Sequence, residues 1–231
     1  MAFQGYTQET VDFMWGIRFN NERGWFLEHK DDYINTFLTP TRELGEQVYD
    51  AVHALLQDEP LMLKVSRIYR DARRLFGRGP YKDHLWWCIR TGDKDWTGRP
   101  TFWFELGPDY YSFGLGFWSP AAALMETYRK QIDAHPEELS KLVRQFNRQS
   151  VFTLDGPEYA RSKGQTSDLL RPWYQKKSLS LRWEGPLDER IFTSALAEDI
   201  IAGFKTLIPF YHYFNKLVAL TPRQERRGEE A

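Results

Sequence analysis

Hydrophobic and polar positions change their period twice along this chain. Over the first sixty residues they recur at helical spacing. Val11, Met14, Trp15 and Arg18 form one set, Trp25, Phe26, His29, Tyr33 and Phe37 a second, and Leu44, Val48, Val52 and Leu55 a third. Each set falls on one side of a 3.6-residue helix. Asn20-Asn21 interrupts the first, and Asn21 is expected to cap the second, with Glu22 favourable in its first turn. Thr39 is expected to cap the third, with Pro40 at the first position, where a missing N–H costs nothing.

From Leu63 to Trp118 the period shortens. Val65–Asp71, Leu85–Arg90, Thr101–Leu106 and Tyr110–Trp118 are rich in aromatic and β-branched residues and predict strands. Gly107-Pro108-Asp109 turns the last two into a hairpin. Connections this short require antiparallel pairing, because a parallel pair needs a crossover of about a dozen residues. Helical signals return at Ser119-Pro120 and at His135-Pro136-Glu137-Glu138. A short strand is expected near Val151–Leu154. Another is expected at Ser178–Trp183, where Leu179, Leu181 and Trp183 alternate with polar residues. Glu158–Lys177 reads as an irregular surface loop, and two helices, about Leu187–Gly203 and Thr206–Leu220, close the pattern.

Helices at both ends of a strand-rich centre, with no internal repeat and no linker, predict an α+β fold. The expected unit is a single domain over residues 1–220. Its core is a mainly antiparallel central sheet of about five or six strands, with the N-terminal and C-terminal helices packed on it. Residues 221–231 read as a flexible polar tail.

Composition narrows this picture in three ways. The formal net charge of −1 argues against a whole-domain positive field of the kind that drives nonspecific DNA binding. Aromatic residues make up 16% of the chain and include nine tryptophans, enough for a large core. The one cysteine, Cys88, allows no internal disulfide and reads as an inert buried thiol on a strand. The first residues lack a basic and then apolar leader, and no run reaches the roughly 18 apolar residues of a membrane span. A cytoplasmic location without a membrane partner is expected.

Against that neutral background one segment stands out. Lys64 to Lys82 carries seven positive charges and one negative. As a strand it would place Val65, Arg67, Tyr69 and Asp71 on one face and Ser66, Ile68 and Arg70 on the other. Neither face is purely apolar, so at least one arginine should lie under cover, paired or holding a ligand. Asp71 and Glu105 are the candidate pairing carboxylates. Gly77 and Gly79 give the following loop the freedom to aim N–H groups at an anion. The spacing is not that of a Walker A loop. Two readings stay open: a ligand site, or an Arg–carboxylate network that fixes strand register.

Four motifs here carry a family resemblance. They are Asn20-Asn21-Glu22-Arg23-Gly24-Trp25-Phe26, Arg67-Ile68-Tyr69-Arg70-Asp71-x-Arg73, Pro80-Tyr81-Lys82-x-His84 and Gly114-x-Gly116-x-Trp118-x-Pro120. Together they resemble a widespread family of bacterial conserved hypothetical proteins, domain of unknown function 2461, from about Val11 to Leu220. The resemblance implies one compact domain and carries no activity. The chain departs from the family pattern at Arg74 and Leu75, which bears on the selectivity of any pocket those positions shape.

The aromatic block from Trp86 to Trp118 reads as core on one face and helix-covered packing on the other. A stacking platform for bases or sugars is the rarer alternative. Glu105 inside that block is a candidate acid or base, or the partner of a strand arginine. His29, His53, His84, His135 and His212 show no metal spacing, and no cofactor or metal is implied. His84, leading from the basic loop into a strand, is a candidate anion donor or proton-transfer group. The leading expectation is a small anionic ligand, bearing phosphate or carboxylate. Arg67, Arg70, Arg73, Arg78, Lys82 and His84 would bind it, with His84 and Glu105 as candidates for proton transfer. A nucleic-acid-binding module and a protein-interaction domain with an internal Arg–carboxylate network are the alternatives, and oligomeric state stays open.

Overall fold

The computed structural model describes residues 2–222. Six strands, β1 (Leu61–Val65), β2 (Leu85–Thr91), β3 (Pro100–Leu106), β4 (Tyr111–Phe117), β5 (Thr153–Asp155) and β6 (Ser180–Gly185), form one sheet. Their order is β1-β2-β3-β4-β6-β5, and every neighbouring pair is antiparallel. The helices are α1 (Gln8–Phe19), α2 (Arg23–Glu28), α3 (Lys30–Asp32), α4 (Thr39–Leu55), α5 (Ala122–Ala134), α6 (Pro136–Phe146), α7 (Arg171–Tyr174) and α8 (Ala195–Leu220). The α+β class and the antiparallel sheet agree with the sequence pattern. Among the described residues no helix is long and apolar enough to cross a membrane. The expected flexible tail lies, from residue 223 on, outside the described residues.

One face of the sheet is fully apolar. Leu85, Trp87, Ile89, Phe102, Phe104 and Leu115 are essentially inaccessible there, and burying each such side chain stabilises by roughly 1.5–3 kcal/mol. Helices α4 and α8 cover this face. Gly45 of α4 lies against Leu63 and Trp87, while Phe204 of α8 meets Trp87, Phe102 and Phe113. Tyr211 stacks on Phe102 at 5.3 Å.

Four local expectations are corrected. The first strand is Leu61–Val65, not Val65–Asp71. Its ladder ends because the Trp86 N–H donates to Ser66 Oγ at 3.0 Å instead of to a backbone carbonyl. Beyond it the chain folds into an arm. Lys82 N–H donates to the Ile68 carbonyl and Arg70 N–H to the Pro80 carbonyl, both at 2.8 Å, with a single bridge between Tyr69 and Tyr81. The expected alternation survives there without a sheet: Ser66 and Ile68 are buried, Arg67 and Tyr69 exposed.

Asn21 does not cap α2. The N-cap is Glu22, with no side-chain capping bond, and Asn21 instead reaches across to the arm. Thr39 caps nothing either, because the helical path is continuous from Lys30 through a π-helical turn (Tyr33–Leu38) into α4. The Thr39 N–H donates to the Ile34 carbonyl. This wider turn rearranges the ladder just before Pro40, which has no N–H to give. Finally, the two expected closing helices are one, α8, with Pro209 inside it. Gly203 is not a stop signal. It is a packing site, where a Cβ would lie 2.9 Å from Phe152 Cζ.

Candidate functional site

The second face of the sheet is built differently. Side chains alternate across a strand, so the partners of the apolar residues point the other way. Register aligns them in rows. Lys64, Cys88, Trp103, Gly114, Arg182 and Thr153 run across all six strands, and Trp86, Glu105, Ser112 and Glu184 form the row beside them. Gly114 at the centre, with Gly116, Ser112 and Ser180 nearby, leaves a hollow. Its Cβ would lie 2.1 Å from the Leu181 carbonyl oxygen, so no larger residue fits at this close approach of β4 to β6. The result is a groove of about 410 Å³, floored by the sheet and walled by Trp86, Trp96, Trp103 and Trp118. Trp118 is 72% exposed at its rim.

Cations lie on these indole rings. The Arg90 guanidinium sits 4.6 Å from the Trp96 centroid, Arg182 5.9 Å from Trp103, and the Lys82 ammonium 5.6 Å from Trp86. Arg182 is also paired with Glu184 and, at 3.6 Å, with Asp155. Trp86 and Trp96 both contact Trp118 at 6.4 Å between centroids.

The basic arm meets the groove at Trp86. Arg70 is the arginine under cover. Its Nε donates to the Tyr81 carbonyl at 2.8 Å, and Nη2 lies 4.0 Å from Asp83 Oδ1. Burial lowers its pKa, opposed by Asp83 and assisted by the charge of Arg78. Lys82 is pushed down to about 8, first by burial and then by Arg70, with Glu105 acting the other way. His84 Nδ1 stands 3.0 Å from Asp83 Oδ1. A carboxylate only accepts, so this nitrogen carries the proton. On its other oxygen Asp83 accepts from Arg18 Nε of α1 at 2.6 Å, and Arg18 also donates to Asp109 at 2.5 Å. The His84 bond, with that of Arg18, holds Asp83 well below the usual carboxylate range against its own burial.

The sequence candidates therefore separate. Arg70 and His84 flank Asp83, Lys82 lies over Trp86 at the edge of the groove, and Glu105 lines the groove itself. Arg73 is exposed and occupied by Asp71, through Nε at 3.0 Å and Nη2 at 2.8 Å. Arg67 and Arg78 are exposed on the arm, Arg78 close enough to act on Arg70. Among the described residues Glu105 has no arginine within ion-pair distance; the Tyr110 hydroxyl donates to it. Burial and then that bond raise the Tyr110 pKa.

Sequence reasoning missed Asp83 and the groove tryptophans. The core reading of the aromatic block holds for Trp87, Phe102, Phe104 and Phe113, but not for Trp86, Trp96, Trp103 and Trp118. The signal was strand parity: Trp86 with Arg90, Trp103 with Glu105, and Gly114 with Gly116 share the non-apolar side of their strands. Among the described residues no group of three His, Cys, Asp or Glu side chains could hold a metal ion.

A search of curated proteins returned no match. The model of a family described as conserved hypothetical protein (DUF2461) matches residues 9–213, nearly the whole chain, and the protein belongs to that family.

Proposed function

We propose that this protein binds a small anionic ligand, bearing phosphate or carboxylate, in the groove on the open sheet face. The body of the ligand rests on the tryptophans, and its anionic group is held by Lys82 and Arg70. The protein would work in the cytoplasm. One observation carries this reading. Lys82 is half-buried beside Arg70, yet among the described residues it has no carboxylate within ion-pair distance. Two neighbouring cations held without a full counter-charge are an electrostatic cost that an anion relieves. The flat indole faces beside them suit a ring or a sugar.

Glu105 and Asp155 line the same groove. They weigh against a polyphosphate strand and favour a ligand small enough to touch the cations without crossing the carboxylates. A thermal-shift and calorimetric screen against phosphorylated and carboxylated metabolites tests the proposal. A hit should raise the melting temperature, and Lys82→Met or Arg70→Ala should weaken its binding about tenfold each, the worth of one charge-assisted hydrogen bond. Unchanged affinity in both variants would overturn the placement. Steeply salt-dependent binding of oligonucleotides, in preference to the small anions, would favour a nucleic-acid module instead.

A further inference from the structure

Resting on that reading, we propose that Lys82 Nζ is a carbonyl-trapping amine. It condenses with the carbonyl carbon of a small anionic aldehyde or 2-oxo acid in the groove, Arg70 taking the acid group and Glu105 the proton.

The lysines of this chain are not equivalent. Lys130, Lys176 and Lys216 each meet a carboxylate, at 2.7, 2.9 and 2.6 Å. Such contacts keep an amine occupied. Among the described residues Lys82 has no such contact, and the charged groups that act on it are Arg70 and Glu105. A cationic neighbour together with removal from water is the arrangement that frees a lysine lone pair. With its pKa near 8, roughly a tenth of Lys82 is free amine at neutral pH, against fewer than one in a thousand for an ordinary lysine.

Its surroundings supply the other requirements. The ammonium lies 5.6 Å from the Trp86 centroid, so an apolar ring shields one side of the nitrogen and can carry the cationic product on its face. Arg70 donates its Nε to the Tyr81 carbonyl and keeps guanidinium N–H groups for a planar acid group. Glu105, hydrogen-bonded by the Tyr110 hydroxyl, is the carboxylate whose charge acts on Lys82.

The chemistry balances without any oxidant or reductant. The neutral amine attacks the carbonyl carbon and forms the C–N bond, while the C=O π pair moves to oxygen, which takes a proton from solvent. One nitrogen proton passes to Glu105 and then to the departing hydroxyl. Water leaves, and a protonated imine remains.

The test is reductive trapping on the full chain. Protein is incubated with glyoxylate or pyruvate, reduced with borohydride and mapped by peptide mass. The expected adduct falls on Lys82 at least about tenfold above exposed lysines such as Lys163 and Lys177. Its yield should rise between pH 7 and 9 and fall when inorganic phosphate competes for Arg70. Arg70→Ala should depress trapping of glyoxylate more than that of acetaldehyde, which loses only the effect of Arg70 on the amine, a separation that mere misfolding would not produce. Adducts spread evenly over exposed lysines, or none on Lys82, would overturn the inference even if Lys82→Arg failed to fold. Anion-induced melting shifts without a Lys82 adduct would overturn this inference and leave the binding proposal standing; absence of both would remove both.

Discussion

Asn21 and Tyr81, 60 residues apart, exchange two hydrogen bonds: Asn21 Nδ2 donates to the Tyr81 carbonyl at 3.0 Å, and the Tyr81 N–H donates to Asn21 Oδ1 at 2.9 Å. The amide imitates a strand neighbour and fixes the exit of the basic arm to the end of α1, where Asn21 also reaches the Ile17 carbonyl at 3.1 Å. Lys82, Asp83 and His84 follow directly, so this clamp positions the candidate site.

Asn21→Ala should therefore destabilise by about 2–3 kcal/mol, since it leaves part-buried backbone groups without partners. Gly79→Ala should be costly for a related reason: its Cβ would lie 2.2 Å from Asn21 Oδ1. In the Asn21→Ala background the contacts with Oδ1 and Cγ are gone and only that with the residue-21 Cβ, at 2.6 Å, remains, so Gly79→Ala should cost less. Urea denaturation of the four proteins measures the coupling, and strict additivity would contradict the clamp.

Asp83 predicts an acid-sensitive stability. The His84 and Arg18 bonds depress its folded-state pKa. The stabilisation is then fully present above the ordinary carboxylate value of about 4 and is lost as pH falls through the depressed value. Asp83→Asn should flatten this part of the acid limb and lower stability at neutral pH by about 2 kcal/mol. Melting temperatures from pH 7 down to 2 would show it; parallel curves for the two proteins would refute it.

Trp86 and Trp87 should behave as opposites. Trp87 is fully buried against α4 and α8, and Trp87→Ala should cost about 4 kcal/mol in stability. Trp86 walls the groove. Trp86→Ala should change stability by less than about 1 kcal/mol while weakening ligand binding by about tenfold or more. Paired unfolding and calorimetric titrations separate the two effects.

Gly114→Ala should be poorly tolerated, at about 3 kcal/mol, because the added carbon meets backbone of β6 and not a movable side chain. The same change at Gly98, where nothing lies within 4 Å, should be nearly neutral. Equal losses at both positions would mean that β4 and β6 can move apart.

Much of the fold was legible from local pattern. Period-2 alternation located β2, β3 and β4, and the Gly107-Pro108-Asp109 turn required β3 and β4 to pair antiparallel. The errors occurred where a residue's usual local role was overridden at a distance. Asn21 has the chemistry of a cap and is spent on Tyr81. Gly203 looks like a helix end and serves as a notch for Phe152 and Phe113. Pro40 looks like a helix start and sits within a continuous helical path.

By itself the sequence determined the fold class, the position of most elements and the identity of the basic segment. These follow from hydrophobic period and charge, which are properties of neighbours in the chain. Only the tertiary structure decided which arginines are free. Arg73 is held by Asp71 two residues away, while Arg70 turns inward to Tyr81 and Asp83. It also decided that four tryptophans face a groove and not the core, because strand pairing and helix placement choose which side of each strand is covered. Lys82 gains its character in the same way, from burial and from Arg70 and Glu105, neighbours that only folding brings within reach.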